Sequence, residues 1–350
     1  MVVNLEASRH THARPSTGPR SARHPHRQRS AQAGNCIAIG LLNNMAGSAF
    51  KATERQFVSL LDAASGGLPI HVSFYALPGL TDTEAGGEHF ASHYAPMDEL
   101  LGKQLDGLIV TGREPRAPSL RDEPYWDSFT QVLEWARKNT FSSVWSCLAA
   151  HAAVLHMDGI DRRRSSEKNF GVFASATTGH HPLTGGLPSS FHVPHSRWNG
   201  IDLDDLVKRG YTVLSRVTGN GVDAFAKEDG SLFVFFQGHL EYDTDTLMRE
   251  YRRDVGRYIR REVDSYPLLP LNYFHPATES ALRLLQEKAS HFRRVSVLHE
   301  LAAAVEETKL ANTWHESAVR LYRNWLNEIA ARKSAFLLAS GLPAGQLAAR

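Results

Sequence analysis

The stretch Ser142-Ser143-Val144-Trp145-Ser146-Cys147-Leu148-Ala149-Ala150-His151 decides how the rest of the chain is read. Val144-Trp145-Ser146 reads as the end of a buried strand. Leu148 to Met157, rich in Ala and Leu and closed by Gly159, reads as a helix. Cys147 stands at the join. A sharp strand-to-helix turn lifts its side chain out of the sheet and aims the first N–H groups of the helix at it. Those groups have no intrahelical acceptor and, with the helix dipole, they favour an anion. A thiol there gains thiolate character, and an oxyanion gains donors. The plainer reading of a lone cysteine is a small buried hydrophobe.

Upstream, from Asn35 onward, strand and helix alternate. Cys36 to Leu42 is a near-continuous apolar run, as expected of a parallel strand covered on both faces. Thr53 is placed to cap a helix carrying Phe57, Leu60, Leu61 and Ala64 on one face, with Gly66-Gly67 ending it. Ile70 to Leu77 is a second strand and Met97 to Leu105 a short helix. Gly107 to Val110 is a third strand, stopping at Thr111-Gly112. Pro124 suits a first helical position, with Trp126, Phe129, Leu133 and Ala136 following at helical spacing. Such units imply right-handed crossovers and an α/β fold with a doubly wound, mainly parallel sheet, whose ligands gather at the carboxyl ends of strands. Thr111-Gly112 and Cys147 both fall at such ends.

Downstream the signals turn antiparallel. Tyr211 to Val217, Val222 to Ala226 and Ser231 to Phe236 are strand-like, with Gly219-Asn220-Gly221 and Asp229-Gly230 as turns. The last strand runs into Gln237-Gly238-His239-Leu240-Glu241-Tyr242, after which Asp243 or Thr244 is placed to cap a helix through Leu247, Tyr251 and Val255. Residues 277–290, 295–309 and 314–337 read as a helical C-terminal extension. His239 and Glu241 follow a strand out of the sheet, onto the rim expected for Cys147. A Cys beside a His oriented by a carboxylate is an apparatus for acyl transfer. The plainer reading is a loop His and a surface Glu in a chain that holds 18 His.

Composition fits a soluble globular protein of the cytoplasm. The 350 residues are 42% apolar and 22% charged, with no apolar run long enough to span a membrane. The two cysteines, Cys36 and Cys147, form no disulfide framework and no C-x-x-C pair, which suits a reducing compartment. Residues 1–34 hold six Arg and four His against the single acid Glu6, and read as a disordered basic arm that lacks the apolar stretch of a secretory signal. A nucleic-acid tail is the lesser reading, and no nucleic-acid or membrane partner is expected. No G-x-G-x-x-G follows a strand, and no cluster has metal-ligand spacing, His180-His181 standing without a nearby Cys or carboxylate. Neither a dinucleotide nor a metal is expected. The remaining boundaries are one domain over 35–338, with 275–338 as its helical elaboration, and a tail over 339–350.

Together the motifs resemble the homoserine O-acyltransferases of methionine biosynthesis, whose fold is related to class I glutamine amidotransferases. The matching segments are Asp106 to Gly112, Tyr125-Trp126, Leu133-Glu134-Trp135, the Cys147 turn, and Glu167-Lys168 with Gly171-Val172-Phe173. Pro194-His195-Ser196-Arg197, Gly238 to Asp243, Arg253-Asp254-Val255, Asn272-Tyr273-Phe274 and Asn324 to Asn327 follow in the family's order.

The resemblance implies roles. Cys147 would accept the acyl group of an acyl-CoA as a thioester, in a ping-pong mechanism, with the oxyanion held near Leu148 and Gly112. His239 would take the proton of the amino-acid hydroxyl, with Glu241 as its partner. Lys168, Ser196 and Arg253 match substrate-binding positions, although each also reads as an ordinary surface or turn residue. The acyl-CoA is a co-substrate and no cofactor is implied; a homodimer is the expected assembly.

The sequence departs from the family in two places. Met45 to Lys51 lacks the family's Pro and paired lysines, leaving only Lys51. Arg113-Glu114-Pro115-Arg116 replaces the usual Ala-Pro-x-x, and the position matching Arg116 helps to select the acyl donor. Gly there goes with succinyl-CoA and Glu with acetyl-CoA. Arg116 has the sign to pair with a succinyl carboxylate, which favours succinyl-CoA over acetyl-CoA. L-homoserine is the expected acceptor. L-serine differs by one methylene, worth only about 1–3 kcal/mol in a pocket, and stays open. A glutamine amidotransferase-like hydrolase is the alternative on the same Cys-His-Glu set.

Overall fold

A computed structural model describes residues 3–5, 36–78, 88–219, 221–306 and 308–341. Its centre is an 11-stranded sheet. The parallel half contains β1 (Val3–Leu5), β2 (Ile37–Leu42), β3 (Ile70–Ala76), β4 (Tyr94–Pro96), β5 (Gly107–Thr111) and β6 (Ser142–Ser146). The other half contains β7 (Arg163–Thr177), β8 (Ser190–Gly200), β9 (Thr212–Val217), β10 (Gly221–Asp229) and β11 (Ser231–Phe236). The spatial order is β1-β3-β2-β5-β6-β11-β10-β9-β7-β8, with β4 beside β3. Strand β11 is the pivot: it pairs in parallel with β6 and antiparallel with β10.

The two-residue period of the central strands explains the layers. Ile109, Val144, Val234 and Phe236 point to one face, against Phe57 and Leu61 of α1 (Ser48–Ala64). Leu108, Val110, Trp145, Phe233 and Phe235 point to the other. They meet Phe129 and Leu133 of the Trp126–Asn139 helix and Ala149 to Leu155 of the Leu148–Asp158 helix. The doubly wound α/β reading holds, antiparallel additions included. Ser142 and Ser143, at the start of β6, are tolerated because both are bonded. Ser142 Oγ donates to Leu232 O (2.7 Å) and accepts from Trp325 Nε1 (2.8 Å), while Ser143 Oγ accepts from Trp145 Nε1 (2.9 Å).

In chain order the helices are α1, α2 (Glu88–His93), α3 (Met97–Leu101), α4 (Trp126–Asn139), α5 (Leu148–Asp158), α6 (Leu203–Lys208), α7 (Thr246–Ile259), α8 (Pro276–His291), α9 (Ser296–Glu306) and α10 (His315–Ser340). Helices α7 to α9 share their own core through Leu247, Tyr251, Leu282 and Leu301. Helix α10 packs against the sheet. Its Leu321, Trp325, Leu326 and Ile329 complete the α1 side of the sheet core.

Several local expectations change. Helix α1 starts five residues before Thr53, which is buried inside it, because the chain already turns at Gly47. Helix α3 stops at Leu101 rather than Leu105, and α7 starts after Asp245 rather than Asp243 or Thr244. Residues 3–5 of the expected disordered arm form β1, with Val3 opposite Ile70 on β3. Residues 6–34 of that arm, 342–350 of the tail and Asn220 of the expected 219–221 turn lie outside the described residues. The β7–β8 ribbon has no counterpart in the hydrophobic pattern, since Arg163, Arg164, Glu167 and Lys168 make its first half read as a polar loop. Among the described residues, no helix is long and apolar enough to cross a membrane.

Candidate active site

Cys147 occupies the turn that the sequence assigns to it. Its backbone adopts φ 53° and ψ −115°, a conformation that costs a non-glycine residue energy and that surrounding contacts must hold in place. Cys147 N donates to Phe236 O (2.8 Å), and Cys147 O accepts from Ala150 N (3.0 Å). Helix α5 is buried continuously from Ala149 to Leu155, so its start is rigidly anchored. Its first N–H groups have no intrahelical acceptors, which leaves donors at the turn that carries the sulfur. Gly112, at the end of β5, abuts this turn. A Cβ there would lie 2.7 Å from Leu148 N and 3.0 Å from Ala149 N, so the backbone approach requires glycine.

The pairing of β11 with β6 brings His239 to the same rim. Phe236 stands opposite Ser146, so the residues that follow each strand emerge side by side. Gly238 passes close over β8, where a Cβ would lie 2.4 Å from Val193 Cγ1, and His239 N donates to Pro194 O (2.8 Å). His239 Nδ1 is 2.8 Å from Glu241 Oε1, and its ring also hydrogen-bonds Cys147. Burial alone would strip the ring of its proton. The charges of Cys147 and Glu241, with their hydrogen bonds, outweigh burial and hold the His239 pKa well above the usual histidine value. Tyr242 stacks on the imidazole, with centroids 4.2 Å apart and planes at 17°. Cys147, His239 and Glu241 therefore form one connected set.

Lys168, Ser196 and Arg253 gather in a neighbouring cluster. Strand β7 shifts register between Arg164 and Asn169, and Lys168 lies in that irregularity. Lys168 Nζ lies 4.0 Å from Glu250 Oε2 and 3.6 Å from Asp254 Oδ2 on α7, over the Phe170 ring. Ser196 Oγ donates to Glu250 Oε2 (2.5 Å), and Tyr242 OH donates to Glu250 Oε1 (2.5 Å). Half-exposed Arg253 pairs with Asp254 (2.8 Å), one of the plainer pairings open to it. Tyr242 thus joins the cluster to the His239 ring. Sequence reading assigned no site role to Glu250 or Tyr242. The available signal was Glu250 one helical turn before Arg253 and Asp254, with Tyr242 directly after Glu241.

Arg116 lies on the exposed loop after Gly112. Glu123 fastens that loop, its Oε1 accepting from Arg116 N (2.6 Å) and Ala117 N (2.8 Å). Lys51 is exposed on α1. Among the described residues, no group of three or more His, Cys, Asp or Glu is arranged to hold a metal ion.

The profile of a family described as homoserine O-succinyltransferase matches residues 23–336. A homoserine O-succinyltransferase from Rhodopseudomonas palustris is 43% identical over 316 residues, covering 90% of this chain and 94% of that protein. One from Bradyrhizobium japonicum is 41% identical over 90% of this chain and 94% of its own length. Among solved structures, a glutamine amidotransferase from Methylobacillus flagellatus is 14% identical with a TM-score of 0.47, covering 84% of this chain and 95% of that one.

Proposed function

Because the chain belongs to the homoserine O-succinyltransferase family, we propose that it moves a succinyl group from succinyl-CoA to the side-chain hydroxyl of L-homoserine, through a thioester on Cys147. The observation that carries this reading is the His239 ring, bonded to both Cys147 and Glu241 and stacked on Tyr242, which reaches the Lys168–Ser196–Glu250 cluster.

In the first half-reaction the Cys147 sulfur attacks the thioester carbonyl as a thiolate paired with protonated His239. N–H groups at Leu148 and Gly112 take the negative charge that builds on the carbonyl oxygen. Collapse of this intermediate breaks the bond to CoA sulfur, and the His239 proton leaves with CoA. The imidazole is then neutral and free to act as a base. In the second half-reaction the homoserine hydroxyl gives its proton to His239 while its oxygen attacks the acyl carbonyl. The ester forms and the Cys147 sulfur departs. Glu241 holds the ring in register and stabilises the imidazolium in both steps.

The neighbouring cluster suits an amino acid. Arg253 offers a fork to the α-carboxylate, Glu250 offers its carboxylate to the ammonium group, and Lys168 and Ser196 hold Glu250 in place. Arg116 supplies the cation for the free succinyl carboxylate. The O-succinyl product serves methionine biosynthesis, in the cytoplasm, where Cys36 and Cys147 stay reduced as the free thiols found here.

Single-turnover assays with succinyl-CoA or acetyl-CoA, each against homoserine and serine, test the assignment. Succinyl transfer to homoserine is expected to dominate, and Arg116→Glu is expected to narrow the preference over acetyl-CoA. Preferred transfer to serine, or ammonia release from glutamine, would contradict the reading.

A further inference from the structure

Behind the catalytic pair runs a chain of ionisable side chains that the transfer steps leave idle. Ser196 faces the substrate cluster, so its neighbours His195 and Arg197 lie on the opposite side of β8. Both are buried, with 1% and 5% of their surface exposed. Arg197 donates from Nε to His195 Nδ1 (3.2 Å) and from Nη1 to Asn199 O (2.7 Å). The His195 proton therefore sits on Nε2, which lies 3.3 Å from Asp223 Oδ1 on β10, a loosely aligned contact. Asp223 Oδ2 accepts from Ser175 Oγ (3.0 Å) and Ser215 Oγ (2.9 Å). Carboxylate, neutral imidazole and guanidinium thus form a line sealed from water.

Burying an ion pair with an imidazole between its charges is a poor way to stabilise a fold, because separation weakens the attraction while both desolvation costs remain. Its position suggests another use. The carbonyl of Pro194, next to His195, accepts from His239 N (2.8 Å). Arg197 is also within electrostatic reach of the sulfur: burial lowers its pKa, while Asp223 and Cys147 both act to raise it. Among the described residues, the charged and titratable groups coupled electrostatically to Cys147 include His239 and Tyr242 from the loop after β11 and Arg197 from β8. His151, one turn into α5, is held neutral, its pKa lowered to about 3 by burial and then by Arg197 and Arg162.

We propose that Asp223, His195 and Arg197 form a positioning chain that fixes a buried guanidinium behind Cys147, where its charge supports the thiolate. The role assigned to Arg197 is that of a positioning residue acting through its field, which sets it apart from His239, whose ring bonds the sulfur. The proposal rests on Cys147 being the nucleophile.

The test is the pH dependence of iodoacetamide alkylation, read at Cys147 by peptide mapping, with Cys36 as an internal reference in the same chain. Arg197→Gln removes a positive charge, so the alkylation midpoint at Cys147 is expected to rise by on the order of one pH unit. Asp223→Asn removes the opposing negative charge and is expected to lower the midpoint by less. Arg197→Lys keeps the charge without the fork and is expected to fall between wild type and Arg197→Gln. Opposite shifts from the two charge removals are the signature, since a packing role would move both variants together. Midpoints equal to wild type, or shifted in one common direction, would overturn the proposal even if turnover falls. Should Arg197→Gln fail to fold, the sign of the Asp223→Asn shift decides alone: a fall supports the proposal, and no shift or a rise overturns it. A wild-type Cys147 no more reactive than Cys36 would instead overturn the nucleophile assignment.

Discussion

In the proposed mechanism Cys147 and His239 carry the chemistry, and their environments make separable predictions. Cys147→Ala is expected to abolish both half-reactions. His239→Ala is expected to retain slow thioester formation but to lose transfer to the hydroxyl by about 10²–10⁴-fold, the usual worth of a general base. Rapid-quench kinetics of each half-reaction separates the two losses. His151 gives a pH test of stability. Its pKa falls from the ordinary 6.5 to about 3 in the fold. Between those values the unfolded chain binds more protons than the native one, so stability drops as pH falls through this window. At pH 5 the loss is about 2 kcal/mol, from a gap of about 1.5 pH units at 1.36 kcal/mol each. Urea midpoints at pH 7 and pH 5 should therefore diverge more in wild type than in His151→Leu. The residue types of the site were legible because Cys147, His239 and Glu241 each follow a recognisable strand. Glu250 and Tyr242 were not, since a helix-face Glu and a loop Tyr gain meaning only when β7, β8 and α7 meet.

At the scale of elements, the proposed oxyanion site depends on the turns at the ends of β5 and β6. Gly112→Ala would place a methyl group 2.7 Å from Leu148 N, displacing donors from the carbonyl oxygen. A loss of about 10²–10³-fold in kcat is expected, comparable to removal of one oxyanion donor, with thioester formation slowed in parallel. Stopped-flow release of CoA checks this, and a normal rate would remove Gly112 from the site. Strands β2, β3, β5, β6 and β11 were readable as apolar runs bounded by turn residues. The β7–β8 ribbon escaped because its polar residues alternate irregularly, and its register shift near Lys168 breaks the two-residue period.

At the scale of the molecule, a single pairing decides whether there is a site. Strand β11 lies beside β6 although 90 residues separate Phe235 from its partner Trp145, and no local pattern encodes such a pairing; it follows from how the whole sheet closes. Helix α10 belongs to that closure. Trp325 is buried, packs on the sheet and donates to Ser142 Oγ (2.8 Å), so it braces the strand that leads to Cys147. Trp325→Ala is expected to destabilise the protein by about 3–5 kcal/mol in denaturant titrations, with loss of activity following loss of the fold. The most direct measurement of the whole account is the intact mass of the protein after mixing with succinyl-CoA and no acceptor. One added succinyl group per chain is predicted, located at Cys147, appearing together with free CoA thiol and removed when homoserine is supplied. An unmodified wild-type mass, or label on another residue, would contradict it.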